Sequence, residues 1–301
     1  MLSCLIAACL IAVVCLSLSA IYDSDRSESA VVAQHPVSSP GGKVGTDAHR
    51  AVLKVMTLNL AHGRKHKAAH FFKRAATVER NLDDVAAVLR RETPHIVAVQ
   101  EADRPSVWSG SFDHVSYLAG AAGYAFSIHG EHVDGPGLSY GTALLSRSRI
   151  DNALSVAFKA SWPTFTKGFV AGTVYVGQGA AGAVDVISVH LDFSRESVRG
   201  DQLNEMAQRL SSRGRPLIVM GDFNCDWDDG GAMLAAFAKK LGLKTDRPMA
   251  AGLETHSLLE KRIDWILLSR ELEIVSYRRL PDLLSDHRAV IAEVAIPIDG
   301  L

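Results

Sequence analysis

The chain is 301 residues long, 48% hydrophobic and 22% charged, a composition that excludes a disordered or fibrous protein and suits one soluble domain of roughly 250 residues. Its formal net charge is −1, and with three basic and four acidic side chains ahead of Ala51 the remainder carries 29 of each sign. A neutral body excludes a histone-like or basic-arm coating protein, while a nuclease with a local basic loop stays open.

Met1 to Tyr22 carries no charged side chain and ends in small residues around Ser17–Ala20. It reads as an export signal, or as an uncleaved anchor, since about 20 apolar residues also span a bilayer; lipidation at Cys9 is a third, weaker reading. The expected location is therefore outside the cytoplasm, periplasmic or secreted, free or tethered. Residues 23–50 are rich in Ser, Asp, Gly and Pro and read as a flexible linker to a domain over 51–301. Cys4, Cys9 and Cys15 belong to the first segment, which leaves Cys225 alone in the body and no disulfide framework or cysteine metal cage.

From Val52 onward, short runs rich in β-branched residues predict strands: VLKVMTLN, HIVAVQE, GTALLSR, FVAGTVYV, VDVISVH, PLIVMGDFN, RIDWILLS and AVIAEVAI. Helical spacing is clearest at Leu82, Val85, Ala86 and Leu89, with further helices expected over Phe112–Ala122, Glu196–Leu210 and Gly231–Leu241. Strands follow one another without a helix between Gly141 and His190, so strict β-α-β alternation fails. The expectation is an α/β protein with two mostly antiparallel sheets packed face to face and helices outside.

Several of these runs end in a polar or acidic residue: Asn59, Glu101, His190, and Asp222 with Asn224. Asp264 enters a later strand, and Asp286-His287 precedes the last. Such groups are costly in a core and useful in a cleft. Together they suit metal-assisted phosphodiester hydrolysis. Glu101 and Asp286 offer oxygen ligands to a hard cation, Asp222 activates water, and His190 and His287 hydrogen-bond phosphoryl oxygens or act as acid. Asp264 orients His287, while Asn224 and Asn59 position ligand or phosphate. The oxygen-rich set favours Mg²⁺, with Mn²⁺ or Ca²⁺ as alternatives.

TLN at 57–59, QE at 100–101, SVHLD at 188–192, GDFN at 221–224, RIDWIL at 262–267 and SDH at 285–287 run in order through the body. In this it resembles the endonuclease/exonuclease/phosphatase superfamily. The resemblance implies a four-layered α/β/β/α sandwich and a Mg²⁺-dependent phosphoesterase. By analogy Glu101 is a metal ligand, Asp222 acts in water activation, Asn224 binds the scissile phosphate, and Asp264, Asp286 and His287 complete the site with His190 opposite. The His of SVHLD is similar to the deoxyribonuclease, sphingomyelinase and deadenylase branches. A glutamate supports that histidine in pancreatic-type deoxyribonucleases, and Tyr140 aligns there in this chain, leaving the orientation of His190 open.

A G-x-S-x-G match at Gly137–Gly141 lacks the strand-turn-helix context of a nucleophile elbow. The basic run His62–Lys67, extended by His70, Lys73 and Arg74, leaves the same sheet edge as Asn59; Arg64 and Lys65 are the expected substrate-binding cations, drawing in an anion or an anionic lipid surface. Trp108, Trp162 and Phe165 are candidate rim aromatics. The leading expectation is a monomeric, exported metal-dependent phosphodiesterase with a small or lipid-linked substrate. The alternatives are an extracellular endonuclease acting on nucleic acid and a catalytically inactive binding protein of the same fold.

Overall fold

Strand alternation and the helical repeat sort the apolar residues of the body into three separate layers, and these layers define the architecture. The computed structural model describes residues 26–37, 45–46, 50–65, 74–176 and 182–298. Its strands are β1 (Arg26–Ser29), β2 (Val32–Gln34), β3 (Gly45–Thr46), β4 (Arg50–Asn59), β5 (Ile96–Asp103), β6 (Phe126–Gly135), β7 (Leu138–Ser146), β8 (Ile150–Ala157), β9 (Gly168–Tyr175), β10 (Ala183–His190), β11 (Leu217–Asp222), β12 (Leu243–Lys244), β13 (Asp264–Ser269), β14 (Glu273–Arg279) and β15 (Val290–Pro297). The helices are α1 (Ala75–Glu92), α2 (His114–Ala122), α3 (Glu196–Ser211) and α4 (Asp229–Leu241).

One sheet runs β1-β8-β9-β10-β11-β13-β12 and the other β14-β15-β4-β5-β7-β6-β2, with β3 beside β4. Neighbours pair antiparallel except β4 with β5 and β10 with β11. Leu53, Val55, Val184, Val186, Ile218, Met220, Ile266, Leu268, Val290 and Val294 meet between the sheets. The alternate residues Met56, Leu58, Val97 and Val99 cluster with Val78, Leu82, Val85 and Leu89 of α1 and Leu118 of α2. On the opposite outer face Ile187, Val189, Val219 and Leu267 cluster with Leu203 and Met206 of α3 and Leu234 and Phe237 of α4. The result is the expected α/β/β/α sandwich. Each fully buried Val or Leu contributes about 1.5–3 kcal/mol against the entropy of ordering the chain.

α1 carries the chain from β4 to its parallel neighbour β5, and α3 does the same from β10 to β11. α1 stops where Thr93 turns left-handed (φ 50°) ahead of Pro94. Because each of these strand pairs is parallel, its carboxyl ends emerge side by side, which is where ligands bind in such units.

Residues 26–34 correct the flexible linker expected over 23–50. β1 adds to β8 at the edge of one sheet and β2 adds to β6 at the edge of the other, with only Ala30 and Val31 between them. The alternation that marks a strand is missing because Ser27, Glu28 and Ser29 are all exposed; the pairing is backbone to backbone, and Ala30 and Val32 alone touch the inter-sheet core. Met1–Tyr22, expected to direct export or to anchor the chain, lies outside the described residues. Among those described, no helix is long and apolar enough to cross a membrane.

Candidate active site

The rows that are apolar in the middle of the sandwich turn polar in their last register. Thr57 and Asn59 continue the inward row of Leu53 and Val55, Gln100 that of Ile96 and Ala98, Ser188 and His190 that of Val184 and Val186, and Asp222 that of Ile218 and Met220. His190 pairs in register with Asp222, and Asp222 with Asp264, so three reactive side chains share one row across adjacent strand ends. The sheets are stitched together beneath them: Asn59 Nδ2 donates to Asp222 Oδ2 (2.9 Å), and Gln100 Nε2 donates to Ser188 Oγ (3.1 Å). Above lies a cleft of about 420 Å³ lined by Asn59, Glu101, His190, Asp222, Asn224, Asp286 and His287 among others.

Asp222 is buried, which pushes its carboxyl up to about 7, with Asp264 adding to the rise and His287 and the Asn59 amide opposing it. Its Oδ1 accepts from the Asn224 backbone (2.9 Å), a tight turn that holds Asn224 at φ 51°. Gly221 must be glycine: its φ is 152°, and a Cβ there would lie 2.0 Å from Val189 O in the next strand. His287 Nδ1 lies 2.8 Å from Asp264 Oδ2, and its Nε2 lies 3.8 Å from Asp222 Oδ2. Burial lowers the affinity of His287 for its second proton, but Asp264 and Asp222 more than compensate and raise the imidazole to about 10. The expected Asp264–His287 pair is therefore formed, with Asp264 behind the cleft wall rather than in it.

Glu101 reaches the cleft through a β-bulge. One extra residue separates the Val99 and Ala102 registers against β7, and Glu101 takes φ 49°, which re-aims a side chain that simple alternation would send outward. Burial raises its carboxyl, yet His62, Lys167 and His287 and the Asn59 amide bring it below the ordinary range. His190 owes its orientation to Lys167, a buried lysine whose Nζ lies 3.5 Å from His190 Nδ1. A lysine donates, so Nδ1 accepts and the ring N–H is Nε2, 3.5 Å from Asp222 Oδ2 and 3.9 Å from Glu101 Oε1. Burial, then Lys167, hold His190 well below its ordinary value, hence neutral. Tyr140 packs edge-on against His62 (4.7 Å) instead.

The donors suit a hard divalent cation. Glu101, Asp222 and Asp286 bring carboxylate oxygens to the cleft, and the buried Asp264 Oδ1 has no hydrogen-bond partner. The two clusters with atoms within 4.8 Å, Asp222–Asp264–His287 and His256–Asp286–His287, share His287, which as a cation offers no lone pair and leaves the carboxylates as the ligands. Glu101 shares the cleft with Asp286 but belongs to neither cluster.

Other expectations are placed differently. Asn59, expected on the substrate, holds Asp222. Lys65 is bound by Asp84 of α1 and Arg64 lies over the Trp108 ring (4.6 Å), so neither substrate-binding cation lines the cleft; His66 to Lys73 lie outside the described residues. Asp192 is buried and caps its own loop, accepting from the Ser194 and Arg195 backbones. Ser139 of the G-x-S-x-G match is within β7, bonded to Glu131, and Cys225 is fully buried, its thiol pushed up to about 12. Lys167, Asp103 and His256 carry no motif signal. His256 lines the cleft and stacks T-shaped on His287 (4.8 Å), its Nδ1 accepting from Leu258 and Leu259.

Solved structures share this fold. A structure from Beutenbergia cavernae described as endonuclease/exonuclease/phosphatase superposes with a TM-score of 0.67 at 22% identity, covering 81% of this chain and 72% of its own. The human Nocturnin catalytic domain with bound sulfate matches at 0.61 and 18%, covering 89% and 97%. A Bacteroides thetaiotaomicron mannosyl-6-phosphatase matches at 0.60 and 17%, covering 80% and 99%. No curated protein matches the sequence. The model of the Endonuclease/Exonuclease/phosphatase family matches residues 56–287, and the chain belongs to that family.

Proposed function

We propose that this protein is a divalent-cation-dependent phosphodiesterase working outside the cytoplasm, with a small or lipid-linked phosphodiester as substrate. The observation that carries the chemistry is the row His190–Asp222–Asp264 with His287 closing over it. Asp222, its carboxyl lifted to about 7 by burial, is poised to take a proton from water near neutral pH. The cationic His287 donates through Nε2 to a phosphoryl or leaving oxygen, and the neutral His190 donates through its own Nε2 from the facing strand. Asn224 offers an uncharged amide beside them. Glu101 and Asp286 would hold the cation, Mg²⁺ first, which when bound withdraws charge from the phosphoryl oxygens.

The substrate reading is supported by the mouth of the cleft, where Phe193 (64% exposed) and Leu259 (60%) project beside Leu258 (75%), and by the neutral body. The export reading is supported by Met1–Tyr22, and the mass of the mature N-terminus tests it. An endonuclease is the second reading, favoured by the basic run at 62–74.

The test is turnover of a chromogenic phosphodiester, a phospholipid and supercoiled plasmid by the purified protein, with and without EDTA. Metal-dependent hydrolysis that falls by about 10²–10⁴ in Asp222→Asn, with the melting curve intact, is expected. Turnover insensitive to EDTA, or an Asp222→Asn protein as active as wild type, would overturn the mechanism. Plasmid nicking without phospholipid cleavage would move the substrate to nucleic acid.

A further inference from the structure

Glu101 takes φ 49° at the extra residue of its bulge, so the strand alone leaves its carboxylate loosely specified. A second group meets it there. His62, on a single helical turn at Ala61–Gly63 directly after β4, places Nε2 3.2 Å from Glu101 Oε2. Nδ1 of the same ring lies 2.6 Å from Asp103 Oδ1. Asp103 is fully buried, and its other oxygen accepts from Trp108 Nε1 (2.7 Å) and from Ser109 Oγ. The imidazole is further wedged between rings, 4.8 Å from Trp108 and 4.7 Å from Tyr140.

The turn that presents this ring is costly to build. Ala61, His62 and Gly63 all have positive φ (45°, 55° and 70°), and a left-handed conformation in a residue other than glycine costs of order 1–3 kcal/mol. A Cβ at Gly63 would come within 2.6 Å of Val78 Cγ1, so the turn is pressed onto α1. Backbone, aromatic rings and Asp103 thus converge to hold one ring nitrogen against one carboxylate oxygen of Glu101. Carboxylates only accept, so the 2.6 Å contact is Nδ1–H donating to Asp103, and it fixes the ring with Nε2 facing Glu101 Oε2. The Oε1 atom is left facing His190 across the cleft, 3.9 Å away.

We propose that His62, anchored by Asp103, is a positioning residue for Glu101: it fixes the carboxylate in the orientation that receives the divalent cation and so sets the affinity of the site for metal. The inference rests on the reading of Glu101 as a metal ligand made above. Hydrogen-bond partners behind a ligand hold it in place, and their loss weakens metal binding by about 10- to 100-fold.

Mg²⁺ and Mn²⁺ are titrated calorimetrically into the purified wild-type, Glu101→Gln, His62→Leu, His62→Gln and Asp103→Asn proteins, with melting curves as the check on folding. In parallel, turnover of a chromogenic phosphodiester is followed against metal concentration. Glu101→Gln abolishes or cripples binding. His62→Leu raises the metal Kd by about 10- to 100-fold, moves half-maximal turnover to higher metal by the same factor, and regains most turnover at saturating metal. His62→Gln, which keeps an N–H for Glu101, recovers part of the affinity, and Asp103→Asn shifts the Kd in the same direction as His62→Leu. Wild-type affinity in both His62→Leu and Asp103→Asn would overturn the inference, as would turnover that stays lost in His62→Leu at saturating metal. Undiminished binding by Glu101→Gln would defeat this inference alone. A wild-type protein that binds neither cation would defeat the functional reading and the inference with it.

Discussion

At Asp264 one carboxylate oxygen holds His287 Nδ1 and the other has no hydrogen-bond partner, in a fully buried position. A buried carboxylate survives there because the imidazole beside it is cationic. Asp264→Asn keeps the size and removes the charge, so His287 should lose its second proton and kcat should fall by about 10²-fold or more, measured with the chromogenic phosphodiester. The same pair predicts a pH dependence of stability. The folded value of His287, about 10, lies above its unfolded value, so its contribution is complete below about 6.5 and drains away as pH climbs through the folded value. Asp222, raised to about 7, loses stability in the same direction as it ionises. Urea denaturation of the metal-free protein in EDTA should therefore show stability falling on the alkaline side of neutrality, and Asp264→Asn should flatten the part above about pH 8. An unchanged slope would show that the pair is not ionic. Asp264, Asp222 and His287 were legible in the sequence because each abuts an apolar run that gives it an address at a strand end. Lys167 and Asp103 were not: a lysine before FVAGTVYV reads as a solvated flank, and only the sheet stacking reveals that it is buried against His190.

The eight apolar runs all became strands, since residues buried on both faces announce themselves by composition. The strands that escaped the reading are those that bury little. β14 has one buried residue in seven, and β8 is half-buried along most of its length. β6 is interrupted by Gly130, where a Cβ would strike Val170 and Ser155, and by a bulge near His132. β1 and β2 are the extreme case, and they have a consequence for stability. By covering β8 and β6 they replace a long open edge in each sheet with one of only four or three residues, which leaves less unpaired backbone to a second chain. A protein shortened to begin at Arg50 should lose roughly 4–8 °C in Tm, equivalent to about 2 kcal/mol for a domain of this size. It should also self-associate on size-exclusion chromatography. An equal Tm and a monomeric profile would return 26–34 to the role of a tether.

Across the whole molecule the row His190–Asp222–Asp264 sits at one end of the sandwich, and what surrounds that end decides what can approach it. The body is neutral, and the cations lining the cleft are engaged: Lys261 pairs with Asp229 (2.8 Å), and Arg199 donates to the Asp192 carbonyl (3.2 Å). A neutral body draws in no polyanion from a distance. Phe193, on the loop after β10, and Leu259, on the loop before β13, instead carry large apolar side chains out of the cleft wall, with Leu258 beside them. Water penalises such exposure, and an interface that buries these three side chains gains about 1.5–3 kcal/mol for each one fully covered. Replacing all three with serine should weaken co-sedimentation with phosphatidylcholine vesicles by about tenfold or more, since tenfold corresponds to only about 1.4 kcal/mol. Turnover of vesicle phospholipid should fall further than turnover of a soluble chromogenic diester, because partitioning onto the surface is lost in addition to any contact within the cleft. Equal losses on both substrates would make the three side chains part of the binding site for the reacting group, and unchanged vesicle binding would leave the apolar mouth without a role in approach.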